Sequence, residues 1–144
     1  MKKPAILLLL AFTISACQQQ NTSNTAASEN TQVDPATAPV FSFEKETYDF
    51  GEITEGEQVS YDFTFTNTGK SPLIISNASA TCGCTVPEYP NQPIGPGEKG
   101  TIHVVFNSTG KSGMQNKVVT LTANTTTGSH ELHVVGNVKP KINP

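Results

Sequence analysis

The sequence predicts an all-β protein, an immunoglobulin-like β-sandwich of about seven strands that is preceded by a signal peptide and a disordered tether. Several segments alternate apolar and polar residues with a period of two, turn residues separate these segments, and no segment has a helical period. Seven Phe, three Tyr and abundant Thr, Ser and Asn, with no Trp, also favour short strands over helices. The 144 residues leave room for one domain of ordinary size.

The first element is the amino-terminal stretch "MKKPAILLLLAFTISAC". Two lysines precede an apolar run that is too short to span a bilayer, which is typical of a secretory signal. Its last four residues, Ile14 to Cys17, resemble the lipobox of bacterial lipoproteins, in which the cysteine is acylated and the preceding peptide is removed. We therefore expect residues 1–16 to be a lipoprotein signal peptide and Cys17 to be lipidated and to tether the protein to a membrane.

The second element, residues 17–40, is polar and almost free of aromatic residues. It cannot bury enough apolar surface to fold, so we expect a flexible tether that spans roughly 25 to 30 Å. In lipoproteins of two-membrane bacteria, an Asp directly after the lipidated cysteine often retains the protein at the inner membrane. Gln18 stands at that position here, which favours the outer membrane, facing the periplasm.

The predicted strands follow from residue 41 to residue 139. The segment "FSFEKETYDFG" comes first, and "QVSYDFTFTNTG" after it carries the clearest alternation, with its apolar residues on one face. The shorter run "PLIISNASA" is the next candidate. The segments "TIHVVFNSTG", "KVVTLTANT" and "ELHVVGNV" continue the alternation, and Pro96-Gly97 between strands suits the centre of a type II turn. Residues 140–144 form a short C-terminal tail.

Several of these residues occur in an order that resembles a known family. The order includes Asn67-Thr68-Gly69, Cys82-Gly83-Cys84-Thr85 and Pro96-Gly97, followed by Gly113, Asn124 and Gly136-x-Val138. It resembles the bacterial domain of unknown function 1573 family, which is similar to the immunoglobulin-like domains of hydin and major sperm protein. The resemblance covers roughly residues 41 to 139. It implies an immunoglobulin-like fold and an envelope location, and it supplies no catalytic residues.

Cys82 and Cys84 are the two thiols that remain once Cys17 is lipidated. In an oxidising compartment an even number of thiols favours a disulfide, and Gly83 allows the bend that so short a ring needs. Such a ring would add little stability and would be readily reduced. A plain turn, a soft-metal site for Cu(I) and a thiol-redox role remain open alternatives for this pair.

Other functional classes receive less support from the residues. Met114 or a histidine could supply a third ligand to Cu(I), but His103 and His133 face outward by strand parity, and no complete ligand set or confident metal site can be assembled. No catalytic motif is present, so we expect no enzymatic activity. The net charge of −3 and the scattered basic residues give no stripe for nucleic acid.

The function that we expect from the sequence is that of a binding or scaffolding module. Its partners would be envelope proteins or glycans, and the anchor would hold it at the membrane. The loop from Thr81 to Pro96 is the candidate docking surface, with Thr85, Tyr89 and Pro96 as its contact residues. The alternative is a periplasmic copper-handling or thiol-redox accessory protein that uses Cys82 and Cys84.

Overall fold

A computed structural model describes residues 34–81 and 85–142, and these contain eight β-strands. The strands are β1 (Phe41–Phe43), β2 (Thr47–Thr54), β3 (Gln58–Asn67), β4 (Ile75–Ala80), β5 (Thr85–Glu88), β6 (Lys99–Asn107), β7 (Gly113–Ala123) and β8 (Ser129–Lys139). None of the described residues belongs to a helix long and apolar enough to cross a membrane. The all-β prediction is confirmed.

The strands form two four-stranded sheets. The first sheet has the order β1-β3-β6-β5 and the second has the order β2-β8-β7-β4. All neighbours are antiparallel except β2 and β8, which are parallel. With β1 and β2 taken as the two halves of one divided strand, the sheets have the ABED and CFG orders of a seven-stranded immunoglobulin sandwich.

Two differences from the sequence prediction account for the eighth strand and for the course of the chain. The segment "FSFEKETYDFG" was predicted as one strand, but residues 44–46 carry the chain from the first sheet to the second and divide it into β1 and β2. In addition, part of the predicted docking loop is a strand, because β5 pairs with β6 at the edge of the first sheet. In so few residues the sequence shows no periodic pattern from which either pairing could be predicted.

The core lies between the inner faces of the two sheets. The period-two alternation places one side of each long strand in this layer, as predicted. The fully buried side chains of the core include those of Phe63, Phe65, Leu73, Ile102, Phe106, Val119, Leu121 and Leu132. Burial of an aliphatic or aromatic side chain of this size contributes about 1.5 to 3 kcal/mol each, so this layer is the main source of stability.

Buried polar side chains hold the loops at the two ends of the sandwich. At one end, Asn67 Oδ1 accepts hydrogen bonds from the N–H groups of Val40 (3.2 Å) and Gly69 (3.0 Å), and its Nδ2 donates to the carbonyls of Ser71 and Ile94, each at 2.9 Å. We call this the Asn67 end. At the opposite end, Ser108 Oγ lies 2.7 Å from the carbonyl oxygen of Glu57.

The turn that the sequence predicts at Pro96-Gly97 is also present at the Asn67 end. The N–H of Glu98 donates to the carbonyl of Gly95 at 3.0 Å, and Gly97 has a φ of 80°. A positive φ at the third residue defines a type II turn, and glycine accepts it without strain. The N–H of Gly97 also donates to the carbonyl of Asn67 at 2.7 Å, which attaches the turn to the end of β3.

Residues 37–40 were predicted as part of the flexible tether, but the structure shows them in contact with the domain. Ala38 is 4% exposed, and its carbonyl accepts a hydrogen bond from the N–H of Lys70 at 3.3 Å. Ser71 Oγ donates to the carbonyl of Thr37 at 2.6 Å. The ordered contacts therefore begin several residues before β1, where composition alone gave no sign of packing.

Candidate functional site

The three cysteines of the sequence analysis, Cys17, Cys82 and Cys84, lie outside the described residues. The flanks of the second and third are described. Ala80 ends β4 at the edge of the second sheet, and Thr85 begins β5 at the edge of the first. The described flanks of the cysteine pair therefore lie in different sheets.

The three contact residues of the predicted docking loop do not form one surface. Thr85 begins β5, whereas Pro96 lies in the exposed turn at the Asn67 end. Tyr89 lies between them, half-buried against the core, with its hydroxyl 3.5 Å from the carbonyl of Ser76. The segment from residue 85 to residue 96 therefore runs along the side of the sandwich instead of projecting as a single loop, and the placement of Thr85 in a loop is corrected.

The side chains considered as a third metal ligand beside the cysteine pair also lie apart from one another. Met114 is 78% exposed on β7. His103 Nδ1 lies 2.5 Å from Asp62 Oδ1 on the outer face of the first sheet, and His133 Nδ1 lies 3.4 Å from Asn116 Oδ1 on the outer face of the second. Among the described residues, no group of three or more His, Cys, Asp or Glu side chains is arranged to hold a metal ion.

The feature that we single out is a gap at the edge of the sandwich, beside the Asn67 end. It arises because β2 begins pairing with β8 only at Thr47, opposite His133. Residues 129–132 of β8 lie between that point and the Asn67 end. They pair with β7 on one side, and no described strand pairs with them on the other side. Because β1 lies in the other sheet, the strand switch at residues 44–46 leaves an open strand position. We call it the β8 slot.

A small cavity lies next to the β8 slot and has a volume of about 150 Å³. The start of β1 and the β7–β8 hairpin loop form its walls, and its lining residues are Pro39, Val40, Phe41, Thr125, Thr126, Thr127 and His130. The lining therefore has an apolar side and a side that carries hydroxyl groups and an imidazole. Such mixed, concave surfaces with a few convergent polar groups are typical of binding sites.

His130 is the titratable group of this cavity. Its ring stacks on Phe43, with 4.9 Å between the centroids, and lies 5.4 Å from the ring of Phe41. Its Nε2 is buried and lies 3.1 Å from Glu46 Oε1, although the two atoms are not aligned as a hydrogen bond. The imidazole therefore joins β8 to β1 and to the strand switch.

The hairpin loop that forms the second wall is held by its own side chains. Asn124 Oδ1 accepts a hydrogen bond from the N–H of Ile74 at 2.8 Å, and its Nδ2 donates to the carbonyl of Pro72 at 3.0 Å. Thr127 Oγ1 donates to the carbonyl of Ser129 at 2.9 Å. These bonds fix the loop relative to β4 and β8, so the wall of the cavity is formed before any ligand binds.

Sequence reasoning missed the cavity, although one signal was available. His130 has the same strand parity as Leu132 and Val134, so the alternation places its side chain on the inner face of β8. The pairing of that inner histidine with the start of β1 depends on the strand switch, which the sequence pattern did not reveal.

A second polar cluster supports the parallel pairing of β2 and β8 at the opposite end. Lys139 Nζ lies 2.5 Å from Glu52 Oε1, and Asn137 Nδ2 donates to Glu52 Oε2 at 3.2 Å. The hydrogen bond from Lys139, followed by that from Asn137, lowers the pKa of the Glu52 carboxyl below its ordinary value of 4.5. Glu52 and Lys139 are exposed, so the cluster stabilises the strand pairing only modestly.

Comparisons with known proteins agree with this fold. Residues 41–138 match the model of a family described as "Protein of unknown function (DUF1573)". A search of curated proteins by similarity finds no match.

Solved structures resemble the chain in fold at low sequence identity. A protein of unknown function from Porphyromonas gingivalis W83 has a TM-score of 0.64 at 14% identity, over 76% of this chain and 51% of that one. PapD-like domain 7 of human CEP192 has a TM-score of 0.58 at 9% identity, over 76% of this chain and 90% of that one.

The secreted serine protease VesC from Vibrio cholerae has a TM-score of 0.55 at 14% identity, over 68% of this chain and 23% of that one. The matched region is thus about half of the Porphyromonas gingivalis protein and less than a quarter of the protease. At these identities the likeness shows a shared immunoglobulin-like, PapD-like fold and nothing about a shared activity.

Proposed function

The chain belongs to the DUF1573 family, whose members are described as proteins of unknown function, and we propose that it is a lipid-anchored binding or scaffolding module of the bacterial envelope. Its ligand is an envelope protein or glycan. The observation that carries the proposal is the β8 slot with its adjoining cavity. A sandwich with an open strand position and a preformed cavity has a surface suited to binding another molecule.

The use of the polar side chains supports a binding role over an enzymatic one. The buried polar residues Asn67 and Ser108 bind backbone groups of the loops, and so does the half-buried Asn124. Side chains used in this way rigidify loops, and rigid loops reduce the entropy that is lost when a partner binds.

The location in the proposal rests on the amino-terminal sequence. A lipobox ending at Cys17 would anchor the chain, and the polar residues after it would let the domain reach partners near the membrane surface. The tether joins the domain at the Asn67 end, where residues 37–40 contact the loop after β3. With Gln18 after the cysteine, attachment to the outer membrane, facing the periplasm, is the proposed location.

The test of the binding role is capture from intact cells. The full chain with an affinity tag at its C-terminus is cross-linked in living cells, purified under denaturing conditions and analysed by mass spectrometry. We expect the same envelope protein, or the same glycan adduct, in independent cultures. Repeated recovery of the chain alone, at a cross-linking efficiency that captures a known envelope complex, would contradict the binding role.

The anchor is tested separately with the variant Cys17→Ser. We expect incorporation of labelled palmitate into the wild-type chain, which then fractionates with membranes, and loss of the label in the variant. A variant that retains the label would show that Cys17 is not the lipidated residue. Because the readouts differ, failure of the anchor leaves the binding role open to its own test.

A further inference from the structure

The β8 slot exposes unpaired backbone groups. The N–H of His133 donates to the carbonyl of Glu46 at 2.8 Å, so the backbone groups of residue 133 point toward the β2 side. Alternation along an antiparallel strand then directs the backbone groups of Glu131 and Ser129 to the same side. The carbonyl of Ser129 accepts a hydrogen bond from Thr127, but no described residue binds the backbone of Glu131. An added strand could satisfy these groups.

The other edge strands are protected against such pairing. β1 has only three residues, and β5 has four residues and contains Pro87. β4 has a bulge between Ile75 and Asn77, and β2 has a bulge and two acidic residues, Asp49 and Glu52. Short strands, proline, bulges and charges are the features that prevent edge-to-edge association. The β8 slot is as short as β5, but it contains no proline and no bulge, and Glu131 is its one acidic residue.

The cavity limits the size of the group that can enter beside the slot. A cavity of about 150 Å³ can hold a molecule of the size of benzene. This matches one branched aliphatic or aromatic side chain. Val40, which is 47% exposed and lines the cavity, adds apolar surface at the opening.

The charges near the slot select among peptides. Glu46 lies at the strand switch, with a carboxylate oxygen 3.1 Å from His130 Nε2, and Glu131 is exposed on β8 itself. Lys45 is the one cation of the strand switch, and Glu44 beside it is paired with Lys99 at 3.1 Å. The two carboxylates therefore favour a partner that carries basic residues next to its apolar side chain.

From these observations we propose that the β8 slot binds an extended segment of a partner protein as an added β-strand. The segment hydrogen-bonds to the backbone of Glu131, inserts one apolar side chain into the cavity beside His130, and places a basic residue near Glu46. This inference deepens the proposed binding function and rests on it. Backbone pairing supplies affinity in such complexes, and the inserted side chain supplies specificity.

The test uses the full chain and a synthetic blocked peptide, acetyl-KTLTK-amide, as the probe. Amide hydrogen exchange and chemical shifts are followed by NMR as the probe is added. We expect exchange at Glu131 to slow by about tenfold at saturation, with shifts at Val40, Thr126 and His130. A peptide with Gly in place of Leu should lose this effect, and one with Glu in place of both Lys should bind about fivefold more weakly.

Two variants distinguish loss of binding at the slot from a general loss of structure. Glu131→Pro removes the N–H that faces the slot and leaves the bonds to β7, and Thr126→Trp covers the cavity opening with a large side chain. Both should abolish the effect of the probe. Thr122→Trp, on the exposed face of the neighbouring strand, is the matched control and should bind the probe as the wild type does.

Several outcomes would overturn the proposal. One is an unchanged Glu131 amide at millimolar probe, and another is equal binding by Thr126→Trp. Slow exchange at Glu131 before any addition would show that another part of the chain fills the slot. Shifts on addition of chitotriose, without protection of Glu131, would identify a glycan site instead. Capture of a partner in cells by the Thr126→Trp chain would disprove the slot while leaving the binding function intact.

Discussion

The ring of Phe50 on β2 lies directly against the backbone of Gly136 on β8, at the point where the parallel pairing of the two strands has a bulge. The same ring stacks on Phe106 of the opposite sheet, with 5.3 Å between the centroids and an interplanar angle of 21°. Phe50 is thereby held between its neighbouring strand and the other sheet. A glycine at position 136 makes this arrangement possible, because a Cβ there would overlap the ring.

The first prediction concerns Gly136→Ala. The added methyl group must displace the ring of Phe50, and overpacking of this kind costs about 2 kcal/mol in the free energy of unfolding. In a chain that already carries Phe50→Leu, the same substitution should cost less than half as much, because the smaller side chain can move. Urea denaturation of the two single variants and the double variant measures this coupling.

Gly95→Ala is the control for that experiment. A Cβ at this position would contact the side chain of Glu98, whose flexible carboxylate can move aside. We expect a loss of less than about 1 kcal/mol. Additive costs for Gly136→Ala and Phe50→Leu would contradict the packing explanation.

The second prediction concerns Asn67→Ala. Asn67 is fully buried, and its side chain makes four hydrogen bonds to backbone groups of three different loops. Truncation leaves these groups without their partner, which should lower the free energy of unfolding by about 3 kcal/mol. Thermal and chemical denaturation measure the loss.

Asn107→Ala is the matched control for the second prediction. Asn107 Oδ1 accepts one hydrogen bond, from the N–H of Thr109 at 2.9 Å, in a surface turn. Its truncation should cost less than about 1 kcal/mol. Equal costs for the two variants would show that the bonds of Asn67 do not hold the loops together.

The third prediction concerns the dependence of stability on pH. The hydrogen bond from Lys139, and then that from Asn137, depresses the pKa of the Glu52 carboxyl in the folded chain. A depressed pKa stabilises the fold above the ordinary value of 4.5, and this contribution is lost as the pH falls through the folded value. Glu52→Gln should therefore lower the melting temperature slightly near neutral pH and flatten its fall below pH 4.5.

Glu88→Gln, at an exposed position of β5, serves as the comparison for the pH experiment. Melting temperatures are recorded from about pH 7 to 3 for the wild type and both variants. Because Glu52 is exposed, the effect should be small and should decrease in high salt. A Glu52→Gln curve that parallels the wild type throughout would disprove the role of the cluster.

The fourth prediction concerns the cysteine pair. A disulfide between residues two apart closes a very short loop, so Cys82→Ser with Cys84→Ser should lower the free energy of unfolding by less than about 1 kcal/mol. The intact mass after immediate thiol trapping shows directly whether the pair is oxidised or reduced. A mass two hydrogens below the reduced chain indicates the disulfide, whereas two trapped thiols or a mass increment of copper would support the accessory metal or redox role.

The sequence determined the fold class because the alternation of apolar and polar residues is a local property of each strand. The period-two pattern of β3, β6 and β8 identified the core face, and the Pro96-Gly97 turn followed from the conformational freedom of glycine. The resemblance to the DUF1573 family was likewise carried by residues in order along the chain, and the family match confirms it. The expectations for Cys17, Cys82 and Cys84 stay predictions.

Only the tertiary structure decided how the edges of the sandwich are arranged. The division of the first strand into β1 and β2 depends on pairing with β3 in one sheet and with β8 in the other, across more than twenty and more than eighty residues of sequence respectively. No local pattern records which distant strand supplies the backbone partners. The cavity beside His130 and the open position along β8 follow from that division, so they appear only when both sheets are in place.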